Sequence, residues 1–240
     1  MTTIGATTGA TIGSTIGTML LQFDIFKPYT DRLVHGITTK AMGSLSGDDP
    51  NYDQQLKRLE KEVGVRPAFA LQIHSDIILK VDRSFNERPD GDALITDKKG
   101  LPIGIKVADC QGILFFDPKR NTVAAVHSGW RGSAQNIIGK TVQRMAEEFG
   151  SDPSDLLAGI SPSLGPCCFE FGDPKLLPNF MRPYVKKRKL DFWSLSLKQL
   201  QNAGVGNIEI KAECTKCHPD KFYSYRNKDT GRMAVFIGLK

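Results

Sequence analysis

Two histidines and one cysteine set the strongest condition on how this chain can fold. His74 stands in Gln72-Ile73-His74-Ser75-Asp76, Cys110 in Ala108-Asp109-Cys110, and His127 in His127-Ser128-Gly129-Trp130-Arg131-Gly132. Each follows a short run with strand character, so three strand ends must converge if the three side chains act together. Two imidazoles and a thiolate are a donor set suited to zinc. Three protein ligands leave a fourth tetrahedral position open, which marks a catalytic rather than a structural metal. The spacing, 35 intervening residues and then 16, is not that of a zinc finger. Taken singly, a cysteine is more often a small buried hydrophobe and a histidine a satisfied core or surface residue. The shared position just past a strand is what favours a joint site.

Hydrophobic periodicity places the remaining elements. Residues 20–26 and 33–38 read as strands, and 51–63 as a helix with Leu56, Leu59 and Val63 on one face and Gly64 at its end. Phe69 to Ile73 reads as the strand that delivers His74. Ala93 to Thr96 and Ile103 to Val107 follow, the second delivering Asp109 and Cys110. Residues 112–116 and 122–126 flank the turn Asp117-Pro118-Lys119-Arg120-Asn121 and form a hairpin that delivers His127. A helix capped by Ser133 runs to Gly150 with Ile137, Ile138, Val142, Met145 and Phe149 in its apolar stripe. Strand 156–160, helix 192–203 and strands 208–212 and 233–239 complete the chain. Hairpins mixed with helices, without regular βαβ repetition, predict an α+β fold.

No Pro/Ser-rich linker divides the chain after residue 19, so a single domain over 19–240 is expected. Residues 1–18, with Thr-Ile-Gly repeated, read as a low-complexity disordered tail, Met19 being a natural first residue. That tail lacks the basic start and continuous apolar core of a signal peptide. With no apolar run long enough for a membrane span and an odd number of cysteines, five, a cytoplasmic protein with reduced thiols is expected, without membrane partners. The net charge of +6 is concentrated in Lys186-Lys187-Arg188-Lys189, which reads as a solvated loop. It lacks the aromatic interleaving of a nucleic-acid surface, so no nucleic-acid partner is expected.

Other residues near the triad carry chemistry. Asp76 and Asp109 flank ligands and could orient them or shuttle protons, or be ordinary strand-end aspartates. Arg131, at a helix start between Gly129 and Gly132, suits an anion, with pairing to a structural carboxylate as the other reading. Cys214-Thr215-Lys216-Cys217-His218 spells the haem-attachment pattern, but that attachment requires export, and the pattern reads as coincidence. As half of a zinc ribbon it would need a partner pair, and the vicinal Cys167-Cys168 is a poor one. Those two read as free thiols lining or supporting a pocket.

Taken together, Gln72-Ile73-His74, Asp92-Ala-Leu-Ile-Thr96, Ala108-Asp109-Cys110, His127-Ser-Gly-Trp-Arg-Gly132, Leu164-Gly-Pro-Cys-Cys168, Phe222-Tyr-Ser-Tyr-Arg226 and Thr230-Gly-Arg232 resemble the YfiH-type laccase-domain family, also called the polyphenol oxidase or purine nucleoside phosphorylase family. The resemblance runs in order from about residue 20 to the C-terminus. It implies a layered α/β/β/α sandwich and a zinc site of His74, Cys110 and His127. It implies purine nucleosides and phosphate as partners: phosphorolysis of adenosine, inosine, guanosine or methylthioadenosine, together with adenosine deamination. Within that reading Asp109, Cys110 and Arg131 are the candidate catalytic residues. Lys40, Arg131, Tyr223 and Arg226 are the candidates for substrate binding, Lys40 standing where the family often has an arginine. Lysine keeps the charge and loses the bidentate fork. A monomer is expected. The alternatives are a copper-dependent phenol oxidase, for which four histidines are too few to build a multicopper cluster, and a protein that binds or edits cell-wall precursors.

Overall fold

Three seven-residue strands are buried along their whole length, which requires cover on both faces of each. In the computed structural model, which describes residues 18–85 and 87–240, that cover comes from a second sheet on one side and helices on the other. The strands are β1 (Leu20–Leu21), β2 (Leu33–Thr38), β3 (Ala68–Phe69), β4 (Ile78–Lys80), β5 (Ala93–Thr96), β6 (Ile103–Val107), β7 (Gln111–Asp117), β8 (Thr122–Ser128), β9 (Leu157–Ile160), β10 (Val185–Lys186), β11 (Lys189–Leu190), β12 (Asn207–Ile210) and β13 (Met233–Leu239). The helices are α1 (Tyr52–Val63), α2 (Trp130–Ala134), α3 (Ile137–Phe149) and α4 (Phe192–Asn202). One sheet has the order β1-β2-β13-β6-β3 and the other β12-β9-β7-β8-β5-β4.

The strand period of two sorts side chains between layers. Along β7, Leu114 and Phe116 point into the core between the sheets, where they meet Ile105, Val107, Val235 and Ile237. Ile113 and Phe115 point the other way, against Ile137, Ile138, Val142 and Met145 of α3 and Leu200 of α4. Along β13, Ala234 and Phe236 face Leu56 and Leu59 of α1. The result is the α/β/β/α sandwich, of α+β class. A fully buried phenylalanine such as Phe115 stabilises such a core by about 3–5 kcal/mol relative to alanine. No helix among the described residues is long and apolar enough to cross a membrane.

The departures from expectation have local causes. The strand expected over 20–26 stops at Leu21, and Asp24–Tyr29 turns as a 3-10 helix carrying Pro28. The helix expected from Ser133 starts earlier, at Trp130, and breaks at Asn136, whose φ of 59° is left-handed. The strand before His74 keeps only Ala68–Phe69; the Gln72 side chain continues its pairing, donating to Lys106 O and accepting from Lys106 N. The basic run forms the tight hairpin β10-β11, its tip made by Lys187 and Arg188 at φ of 50° and 63°. The tail expected over 1–18 lies, apart from Thr18, outside the described residues.

Candidate metal centre

Two of the three candidate ligands lie on passages from one sheet to the other. Ala108-Asp109-Cys110 joins β6 to β7, and His74 lies between β3 and β4. The third, His127, is near the end of β8. The pairing of β7 with β8 sets Gln111 opposite Ser128, which brings Cys110 beside Gly129. The donor atoms of His74, Cys110 and His127 all lie within 4.8 Å of one another. The two imidazole rings meet edge to face at 4.8 Å.

A residue to which the sequence reading gave no role organises this centre. Asp92 is fully buried and precedes β5, whose register with β8 sets Ala93 opposite Val126 and so brings Asp92 to His127. One carboxylate oxygen accepts from Nδ1 of His127 at 2.7 Å and from the His74 N–H at 3.1 Å. The other accepts from the N–H of Ile73 and from both N–H and Oγ of Ser75. These contacts hold the His74 loop, where His74 itself has φ of 60°, and leave Nε2 of His127 for the centre. Burial works against the charge of Asp92, yet hydrogen bonds from His127 and Ser75 outweigh it and hold its pKa at about 2. Burial also works against a charged His127, but the neighbouring Cys110 and Asp92 raise its pKa to about 9. Asp76, the other candidate orienter, pairs instead with Lys140 of α3. A polar residue opening an otherwise apolar buried strand was the one available signal for Asp92.

The residues present suit a metal ion. Imidazole and thiolate are zinc-type donors, and an aspartate behind a ligating histidine fixes its tautomer and orientation. Space is kept by Gly129: a Cβ there would lie 3.0 Å from Nδ1 of His74 and 3.1 Å from Sγ of Cys110.

The centre opens into a cleft of about 660 Å³. Five cations line it, Arg88, Lys106, Arg131, Arg226 and Arg232, against two carboxylates, Asp48 and Asp109. Among the described residues none of the five is in salt-bridge range of a carboxylate. Burial, with the Arg88 charge adding to it, lowers the Lys106 pKa to about 8; its ammonium lies 4.3 Å from the centre of the Tyr52 ring. The guanidinium of Arg131 lies over Trp130 at 4.5 Å, on a helix of only five residues rather than the long one expected. Apolar surface is supplied by Leu71, Phe169 and Tyr225, with Leu71 and Tyr225 49% and 69% exposed.

Asp109 lines the cleft with φ of 85°, one carboxylate oxygen accepting from Thr215 Oγ1 at 2.6 Å and the other from the Arg226 N–H at 2.8 Å. Lys40 and Tyr223 are placed otherwise. Lys40 pairs with Asp229 at 3.1 Å and lies over the Tyr223 ring, and neither lines the cleft. Tyr225, two residues on, is the exposed tyrosine and lines the cleft. Arg88 and Lys106 stand in none of the quoted motifs, and Arg232, in Thr230-Gly-Arg232, carries no role there, because the three come from distant segments that only the fold brings together. Cys167 and Cys168, read as free thiols, meet Cys214 and Cys217, and all four sulfurs lie within 4.8 Å of one another.

Comparison with known proteins gives a consistent picture. The family model described as multi-copper polyphenol oxidoreductase laccase matches residues 36–240. A purine nucleoside phosphorylase of Clostridium acetobutylicum is 41% identical over 187 residues, 74% of this chain and 77% of that protein. The purine nucleoside phosphorylase YfiH of Escherichia coli is 31% identical over 212 residues, 82% of this chain and 85% of that protein. The crystal structure of the hypothetical protein YfiH from Bacillus licheniformis superposes with a TM-score of 0.82 at 26% identity, covering 94% of this chain and 98% of that one. YlmD of Geobacillus stearothermophilus gives 0.79 at 27% identity, covering 92% and 99%.

Proposed function

Because the chain belongs to the YfiH-type laccase-domain family, we propose that it is a zinc-dependent purine nucleoside phosphorylase that also deaminates adenosine. The observation that carries this reading is the cleft itself: a His-Cys-His donor set with one side open, facing five cations that have no carboxylate in salt-bridge range among the described residues. Bound by His74, Cys110 and His127, zinc supplies Lewis acidity and the means to activate water near neutral pH.

The chain's own residues do the rest. The guanidiniums of Arg88, Arg131 and Arg232, which have no carboxylate partner among the described residues, bind phosphate together with the Lys106 ammonium, a planar guanidinium fork being well matched to it. Leu71, Phe169 and Tyr225 offer apolar faces on which a purine stacks. Asp109 retains free lone pairs after its two contacts, so it can accept a proton or hydrogen bond from substrate while bracing the Arg226 loop. In phosphorolysis, phosphate joins the ribose carbon as the bond to the purine breaks, and the departing base takes up a proton. In deamination, water adds at the purine carbon that bears the amine, and ammonia leaves. Adenosine, inosine, guanosine and methylthioadenosine are the expected substrates.

The donor set favours zinc over the copper chemistry named in the family description. Only two of the four histidines belong to the centre. His35 is buried elsewhere, its Nε2 accepting from the Phe23 N–H at 3.1 Å.

The test is a nucleoside panel assayed with and without phosphate. Adenosine and inosine should yield free base and ribose 1-phosphate only with phosphate, and adenosine should yield inosine without it. No turnover of any purine nucleoside by zinc-loaded protein would sink this reading and favour binding or editing of cell-wall precursors.

A further inference from the structure

Four of the five cysteines take no part in the centre described above, and they come together from two segments about fifty residues apart. Cys167 and Cys168 sit in a tight turn after Gly165, whose carbonyl accepts from the N–H of Cys168 and of Phe169. Cys214 and Cys217 form a second turn, the Cys214 carbonyl accepting from the N–H of Cys217 and of His218. A short parallel bridge between Ser163 and Cys214 lays the two turns side by side. Cys217 Sγ lies 3.7 Å from Cys167 Sγ and 3.5 Å from Cys168 Sγ.

We propose that Cys167, Cys168, Cys214 and Cys217 form a second metal site, a tetrathiolate zinc site that clamps the 163–171 loop to the C-terminal segment. A regular tetrahedron with Zn–S bonds of about 2.3 Å has an S–S edge of about 3.8 Å. The observed 3.5 and 3.7 Å sulfur separations match that edge. They are far longer than a disulfide bond of about 2.05 Å, and Cys217 is near two cysteines rather than one partner. An iron–sulfur cube, with each thiolate on a different iron, would spread the sulfurs well beyond 4.8 Å. The Gly165 N–H donates to Cys214 Sγ at 3.2 Å, the kind of outer contact that supports a metal-bound thiolate. Closed four-cysteine sites are structural, with no open position for substrate.

The clamp has a defined target. Thr215, between its two C-terminal cysteines, gives its hydroxyl to Asp109, and the Leu164 N–H donates to the Asp109 carbonyl at 2.8 Å. The two clamped segments supply Leu164, Phe169, Tyr225 and Arg226 to the cleft wall. Closing a loop of about fifty residues also removes entropy from the unfolded chain.

Metal content of native, untagged protein purified under reducing conditions tests this. Wild-type chain should carry two zinc equivalents. Cys110→Ala should keep one, and Cys214→Ser combined with Cys217→Ser should lose one. The Cys110→Ala protein reads the four-cysteine site alone, whatever the nucleoside assays give. Should the double variant fail to fold, cobalt(II) added to apo Cys110→Ala protein is the second reading. Tetrahedral thiolate ligation should give intense near-ultraviolet sulfur-to-cobalt charge transfer. A Cys110→Ala protein without zinc and without that band would overturn the proposal. So would a disulfide among these four residues in protein isolated under thiol-blocking conditions.

Discussion

Nδ1 of His127 lies 2.7 Å from a carboxylate oxygen of Asp92, and both side chains are almost wholly removed from solvent. The same carboxylate gathers three successive backbone N–H groups of the loop that presents His74. One buried acid therefore sets the position of two imidazoles from segments 53 residues apart, and it can do so before any metal arrives.

Asp92→Asn should test that dependence. The amide keeps the shape but replaces one acceptor with a donor, facing groups that themselves donate. Metal affinity at the centre should fall by about 10–100-fold, measured by competition with a chromophoric chelator. Unchanged affinity would show that the rings are held by packing alone.

Gly129→Ala should weaken the same centre by a different route. The backbone at Gly129 is extended, φ −87° and ψ 172°, so alanine brings no conformational strain there. Its methyl would meet His74 Nδ1 and Cys110 Sγ at 3.0 and 3.1 Å. The metal-free variant should melt within a few degrees of metal-free wild type, while metal affinity drops by about tenfold or more. Wild-type affinity would mean that both ligand side chains move aside freely.

His35 gives the fold an acid-sensitive element away from the cleft. Burial lowers its pKa from 6.5 to about 4, so the unfolded chain binds a proton that the folded chain rejects between those values. Its contribution is present in full above pH 6.5 and is lost as pH falls toward 4, roughly 3 kcal/mol in total. His35→Gln keeps an acceptor for the Phe23 N–H and removes the titration. Its urea midpoint should fall less than that of wild type between pH 7 and pH 4. Parallel acid limbs would show that His35 does not carry the effect.

Strands whose side chains alternate between two apolar layers were legible in the sequence: Leu33–Thr38, Ala93–Thr96 and Ile103–Val107 are read and observed with the same bounds. The break at Asn136 was not, because Gln135 and Asn136 interrupt the helix without disturbing its apolar stripe. The site divides in the same way. The His-Cys-His set was visible because each member follows a run with strand character in the sequence, although the strand before His74 is only Ala68–Phe69. Asp92 was hidden because three of its partners are backbone N–H groups and its side-chain partners, Ser75 and His127, lie 17 and 35 residues away. Lys40, paired with Asp229 and lying over the Tyr223 ring, sits outside the cleft lining, while Arg88, Lys106 and Arg232 are adjacent only after the sheets close. The two cysteine pairs look unrelated until the Ser163–Cys214 bridge joins their turns.

Lys40 and Arg232 should separate when phosphate dependence is measured. Lys40 is committed to Asp229, a partly exposed pair worth no more than about 1 kcal/mol. Lys40→Ala should leave the KM for phosphate within about twofold. Arg232 lines the cleft without a carboxylate partner among the described residues, and Arg232→Ala should raise that KM by about tenfold or more, the loss of a charge-assisted contact. The reverse ranking would place the anion on the Lys40 side.

Arg131 should distinguish the two reactions proposed for this cleft. Phosphorolysis requires an anion held beside the ribose, whereas deamination requires water and the metal centre alone. Arg131 follows Trp130 directly after the Gly129 that borders the centre, and it has no carboxylate partner among the described residues. Arg131→Ala should therefore depress phosphorolysis more than deamination. A lost contact of about 1.5–3 kcal/mol corresponds to about ten- to a hundredfold in rate if it acts fully in the transition state. Rates for both reactions on adenosine, with zinc content measured on the same samples, supply the comparison. Equal loss of both activities at full zinc occupancy would assign Arg131 to the nucleoside or to the scaffold, and leave the phosphate to Arg88, Lys106 and Arg232.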